Sequence, residues 1–143
     1  MADILHDFPV AAPPSRVFEM FATPAGLDRW WTLGSSGGGA VGSDVELSFG
    51  PPYEWRGRVT RCIPDREYEL EMTVAMREWQ NTRVGVRLEP STTGTMVYFR
   101  HTGWPHESDH FRTTSYCWAM YLRILKRNLE HGETVPYERR LDV

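Results

Sequence analysis

"DHFRTTSYCWAMYLRILKRNLEHG", Asp109 to Gly132, is the stretch whose reading decides the fold. Phe111, Ser115, Trp118, Leu122, Leu125 and Leu129 recur at steps of four and three, the spacing that gathers side chains on one face of an α-helix. Gly132 is the residue type that ends a helix in the left-handed conformation. Most of the stability of such a helix comes from packing its apolar face, so the stripe must cover a second apolar layer.

That layer lies upstream, where residues 45–103 alternate with period two, the mark of strands buried on one face. "DVELSF" directs Val45, Leu47 and Phe49 one way, and "YEWRGRVTRCI" directs Trp55, Val59 and Ile63 inward with Arg56, Arg58 and Thr60 outward. "YELEMTVAM" is the clearest strand, with Tyr68, Leu70, Met72, Val74 and Met76 opposite Glu69 and Glu71. "NTRVGVRLE" turns Val84, Val86 and Leu88 inward, and "TMVYFRHTG" aligns Val97, Phe99 and His101. As hairpin neighbours, these strands carry Arg, Glu and Arg across their outer face, which predicts cross-strand ion pairs worth a few tenths of a kcal/mol each, on the order expected for exposed pairs.

Before the strands come an extended run and two short helices. In "PPSRVFEMFATP", Ser15 is the expected N-cap and Pro24 the interruption; "AGLDRWW" follows. "LGSSGGGAVGSD" reads as a flexible loop, and it lacks the G-K-[ST] that would make it a phosphate cradle. "ETVPYERRLDV" reads as a tail. The order of strand, two short helices, antiparallel strands and one long helix predicts a two-layer α+β architecture over residues 1–143 as one domain.

"APPSRVFEMFATPAGLDRWW", "RHTGW" and "CWAMYLRILKRNLEHG" together resemble the C-terminal-type domain of activators of the heat-shock-protein-90 ATPase. This is a group within the START-like, polyketide-cyclase-like superfamily. The resemblance spans nearly the whole chain and implies the helix-grip fold of birch-pollen allergen, a curved antiparallel sheet wrapped around the C-terminal helix. It also implies a cavity between the two layers. Such a cavity would be lined from the sheet by Trp55, Tyr68, Leu70, Met72, Val84, Val86, Val97, Phe99 and His101. The helix would add Phe111, Ser115, Trp118 and Leu122, and Trp31 would close the end. Ser115 stands out as the small polar residue on the helix stripe, a position where a ligand could be oriented.

The implied function is binding or carriage of a small apolar or aromatic molecule. A cyclase-like or hydrolase-like enzyme is the alternative, with His101 exchanging protons and Tyr68 or Ser115 hydrogen-bonding the substrate. A co-chaperone of a heat-shock ATPase is the third reading. Full activators carry a further N-terminal domain that these 143 residues do not contain, so chaperone binding is not expected to carry over. Monomer and homodimer are both compatible with the sequence.

"HESDH", His106 to His110, satisfies the H-E-x-x-H pattern of zinc peptidases. Pro105 precedes it, and Ser108 and Asp109 are residues of a helix start. The nearest downstream carboxylate, Glu130, is 20 residues along the same helix, roughly 30 Å away at 1.5 Å per residue. A polar first turn is therefore expected, without metal, cofactor or catalytic motif. The net charge of −3 argues against a nucleic-acid footprint, and the apolar share of 41% contains no bilayer-length run, so no membrane partner is expected. "MADILHDF" has no signal-peptide character, so a cytoplasmic location is expected. Cys62 and Cys117 read as buried free thiols.

Overall fold

The computed structural model describes residues 1–142. Its elements are β1 (Ala2–Val10), α1 (Pro14–Ala22), α2 (Pro24–Leu27), β2 (Gly34–Gly37), β3 (Asp44–Ser48), β4 (Glu54–Ile63), β5 (Glu67–Val74), β6 (Arg83–Ser91), β7 (Gly94–Trp104), α3 (Asp109–His131) and a C-terminal 3-10 helix (Tyr137–Asp142). The seven strands form one antiparallel sheet in the order β1-β7-β6-β5-β4-β3-β2. The N-terminal strand thus pairs with the last strand, and the sheet curves without closing around α3. This is the α+β helix-grip architecture.

The concave face carries Val59, Tyr68, Leu70, Met72, Val84, Val86, Leu88, Val97, Phe99 and His101, all buried. From α3, Phe111, Trp118, Leu122, Leu125 and Leu129 meet them, as the stripe requires. Outside, Glu69 lies 3.0 Å from Arg100 and 3.6 Å from Arg83, and Arg83 reaches Glu71 at 3.7 Å. The expected cross-strand ion pairs are therefore present.

Two bulges overturn part of the expected strand phase. Val59 pairs with Leu70 but Arg61 with Glu69, so Thr60 is an extra residue in β4. Side chains alternate with period two, so one insertion reverses every later position. Ile63, expected inward, is 43% exposed, and Cys62 packs on the core instead. In β5, Met72 pairs with Gly57 but Val74 with Arg56, which makes Thr73 the extra residue and leaves Val74 45% exposed.

Four further expectations are corrected. α1 begins at Pro14 with Pro13 as N-cap and no side-chain cap, so Ser15 sits inside the first turn. Proline pre-sets the helical φ there and has no N–H to leave unpaired. A third of the glycine loop is strand: Gly34–Gly37 pairs with β3, and Ser35 donates to Asp28 Oδ1 at 2.8 Å. A four-residue edge of Gly and Ser carries no apolar alternation to announce it. The tail is docked, because the Arg140 guanidinium donates to the carbonyls of Thr32 (3.1 Å), Asp28 (2.7 Å) and Val135 (3.1 Å). Finally, Thr114, not Ser115, is the buried small polar residue of α3. At roughly 100° per residue, Ser115 lies about 40° from the stripe's centre on the β1 side and Thr114 about 60° on the other.

"HESDH" is a helix start. Ser108 Oγ accepts the Phe111 N–H at 3.1 Å, Asp109 is the first helical residue, and His106 lies in the loop before it. The two histidines of the pattern therefore do not share a helical turn. At the other end, Gly132 adopts φ 67° and closes α3 by donating to Asn128 O at 2.9 Å. Among the described residues, no helix is long and apolar enough to cross a membrane.

Candidate ligand-binding site

Four indoles converge at the end of the sheet where β4 begins. Trp31 comes from the turn after α2, Trp55 from the first residues of β4, Trp79 from the β5–β6 connection, and Trp118 from α3. Ring centroids are 5.1 Å apart for Trp31 and Trp118, 5.0 Å for Trp55 and Trp79, and 5.9 Å for Trp79 and Trp118. Aromatic rings at these separations stabilise one another beyond the area they bury. They do not fill the space they enclose: a cavity of about 170 Å³ remains, completed by Met76, His110, Thr113, Thr114, Cys117 and Tyr121. The exposed residues Met76 and Thr113 mark its mouth.

Six of these residues form a second stripe on α3. His110, Thr113, Thr114, Cys117, Trp118 and Tyr121 are spaced i, i+3, i+4, i+7, i+8 and i+11, on the flank beside the apolar face. The polar members hid this stripe from a reading based on hydrophobicity. Burial pushes the Tyr121 phenol up to about 12 and raises the Cys117 thiol above its ordinary value, so both are protonated at neutral pH. The lining therefore offers apolar area, hydroxyls, a thiol and one imidazole, without lysine, arginine or carboxylate.

Two histidines stand behind or beside this wall. His101 is fully buried. An indole N–H can only donate, so the 3.0 Å contact from Trp118 Nε1 makes His101 Nδ1 an acceptor. The proton of the neutral ring is then on Nε2, which donates to Thr82 Oγ1 at 2.8 Å, and Thr82 donates onward to Trp79 O at 2.5 Å. Burial, with His110 as a lesser cause, lowers the His101 pKa from 6.5 to about 3. His101 is thus a neutral, doubly bonded strut between α3 and the Trp79 segment. It has no free nitrogen for proton transfer.

Of the residues expected to line a cavity, Trp31, Trp55 and Trp118 do so here. Tyr68, Leu70 and Val84 border a separate void of only about 20 Å³, beside Trp31. Leu122 faces a groove of about 390 Å³ between β1 and α3. That groove is wider, but Lys126 bridges it to Pro9 O at 2.5 Å, and Asp7 and Arg123 flank it. Met72, Val86, Val97, Phe99, His101 and Phe111 occupy the core. Ser115 faces β1, its carbonyl 3.2 Å and its hydroxyl 3.4 Å from His6 Nε2. The sequence reading did not place Met76, Trp79, His110, Thr113, Thr114, Cys117 or Tyr121 in the lining.

The docked C-terminal segment braces three of the cavity's walls. Tyr137 donates to Phe49 O at 3.2 Å, and the Phe49 ring contacts Trp31 and Trp55 at 5.4 and 5.1 Å. Arg140, 5% exposed, grips the backbone on either side of Trp31 through Asp28 O and Thr32 O. The positive charge of Arg140 also reaches Tyr121 of the cavity, where it offsets part of the effect of burial on the phenol.

The sequence model of the family described as activator of Hsp90 ATPase homolog 1-like protein matches residues 11–130. The solution structure of the Aha1 dimer from Colwellia psychrerythraea is 30% identical to this chain, with a TM-score of 0.84 over 93% of this chain and 99% of that one. Protein SSP2350 from Staphylococcus saprophyticus, 23% identical, has a TM-score of 0.79 over 94% of this chain and 96% of its own. DynU16, from the dynemicin biosynthetic locus, is 18% identical, with a TM-score of 0.79 over 94% of this chain and 50% of its own. The last two show the shared fold alone. No curated protein matches the chain. With the family matched over most of its length and a relative of 30% identity aligned along nearly all of it, the chain belongs to the activator of Hsp90 ATPase homolog 1-like family.

Proposed function

We propose that residues 1–143 act as one ligand-binding domain that takes a small apolar or aromatic molecule into the cavity ringed by Trp31, Trp55, Trp79 and Trp118. The observation that carries this reading is an unfilled apolar space of about 170 Å³ among four large aromatic side chains. Its mouth at Met76 and Thr113 opens to solvent, so a ligand can enter. A dry apolar cavity of about 150 Å³ is enough to take up benzene. Binding is favoured over catalysis through His101, because both ring nitrogens are engaged and the ring stays neutral down to low pH. Self-association belongs to the same proposal, since the Colwellia relative is a dimer.

Cys117→Phe tests the reading. A ring placed at Cys117 enters free space if the cavity is real, so the melting temperature should stay within a few degrees of the parent while uptake of indane is lost. Overpacking a filled core instead costs typically about 1 to 3 kcal/mol. A variant that melts far earlier, from a parent that binds no indane, would remove the cavity and the function built on it.

A further inference from the structure

We propose that His110 is the polar anchor of the cavity, and that the occupant is an uncharged aromatic molecule presenting one hydrogen-bond acceptor oxygen, an aryl ketone being the simplest case. The inference rests on the binding reading above and deepens it. It begins with Trp79, whose indole Nε1 lies 3.2 Å from His110 Nε2. The indole can only donate, so Nε2 must accept. The Thr114 hydroxyl, 3.4 Å away, approaches the same nitrogen. In a neutral imidazole the proton is then on Nδ1, and that nitrogen has no hydrogen-bond partner among the described residues.

His101 shows what a satisfied ring looks like in this fold. There too an indole N–H selects the acceptor nitrogen, but the opposite N–H is taken up by Thr82. His110 repeats the first half of that arrangement and lacks the second, and it does so in the cavity lining. Among the other polar groups of the lining, Thr113, Thr114, Tyr121 and the Cys117 thiol can each give and receive a hydrogen bond and do not select between donor and acceptor ligands, whereas the indole N–H groups of Trp31 and Trp55 can only give one and so favour an acceptor as well. His110, held in one tautomer, offers a donor only.

Charge and surface complete the ligand class. The lining contains neither a basic side chain nor a carboxylate. A charged ligand would be stripped of water without an opposite charge to meet, which is strongly unfavourable. Four indoles and a phenol ring offer the area on which a planar aromatic body packs best.

The test uses indanone and indane, which share a bicyclic aromatic frame and differ by the carbonyl oxygen. Both are titrated into the full-length protein and followed by calorimetry, while the His110 tautomer is read from its ring-nitrogen NMR shifts. The parent should bind indanone tighter than indane by about threefold to tenfold, the range expected for one net hydrogen bond. His110→Phe should bring the two affinities together while indane binding persists. His110→Gln, with an amide oxygen for Trp79 and an amide N–H for the ligand, should keep the preference. The spectrum should show Nδ1 protonated and Nε2 bare. Equal affinities in the parent, a preference that survives His110→Phe, or a protonated Nε2 in a neutral ring would overturn the anchor and leave the cavity standing. A parent that binds neither compound would overturn both. If His110→Phe does not fold, His110→Gln and the tautomer decide the question alone.

Discussion

Acidification is the perturbation that most directly tests the way this fold holds its central histidine. In the unfolded chain His101 takes up a proton near pH 6.5, whereas in the fold burial among Trp79, Trp104 and Trp118 holds that event down to about pH 3. The folded pKa is the lower one, so between these values the unfolded state binds the proton and the folded state does not. Stability is therefore complete above about pH 6.5 and falls as pH drops toward 3. The slope from this residue is about 1.4 kcal/mol per pH unit, and over the whole interval the loss approaches about 5 kcal/mol. That is a large part of the ~5–15 kcal/mol typical of a domain. The assay is urea unfolding at half-unit pH steps from 8 to 3.5, for the parent and for His101→Gln. The two proteins share every other ionisable side chain, so the difference between the two curves reports on His101. The variant starts lower because its amide reproduces the Trp118 and Thr82 bonds imperfectly, but its curve should be flatter below pH 6.5, and the two should converge. Parallel curves across that range would mean that His101 is protonated inside the fold, and the strut described above would be wrong.

The remaining predictions concern stability. Arg140→Ala should cost about 2 to 4 kcal/mol, because three carbonyls lose charge-assisted partners in a site that is nearly closed to water. Arg83→Ala, on the exposed ion-pair ladder, should cost under about 0.5 kcal/mol. Equal shifts in their denaturant midpoints would refute the assignment of the C-terminal segment as a docked brace. Gly26→Ala should destabilise by about 3 kcal/mol or more, the upper range of overpacking, because its Cβ would stand 2.0 Å from Glu19 O and 2.6 Å from Met20 Cα. A melting temperature unchanged by that methyl would show that α2 does not press on α1 as described.

Much of the architecture was legible in local patterns. The four-and-three stripe of Phe111, Trp118, Leu122, Leu125 and Leu129 announced a helix that must be covered, and the alternation through Tyr68, Leu70 and Met72 announced the sheet that covers it. Ser108, Asp109 and Gly132 marked the ends of the helix, which is why "HESDH" read as a first turn and not as a metal site. These features follow from short-range sterics and from the periods of helix and strand, so residues near in sequence carry them.

Tertiary structure decided the rest, and each instance involves partners outside the segment whose pattern was read. The bulges at Thr60 and Thr73 exist only in the pairing of β4 with β5, so alternation alone put Ile63 and Val74 on the wrong face. Arg140 reads as a charge in a polar tail until Asp28 and Thr32 bring it carbonyls from the other end of the molecule. The apolar stripe pointed to Ser115, yet the void lies on the opposite flank, because Trp31, Trp55 and Trp79 meet α3 beside Thr114 and Cys117. A hydrophobic pattern reports which side chains leave water. Where those side chains fail to fill the space between them depends on the curvature of the sheet and the angle of the helix, and neither is written in any one segment.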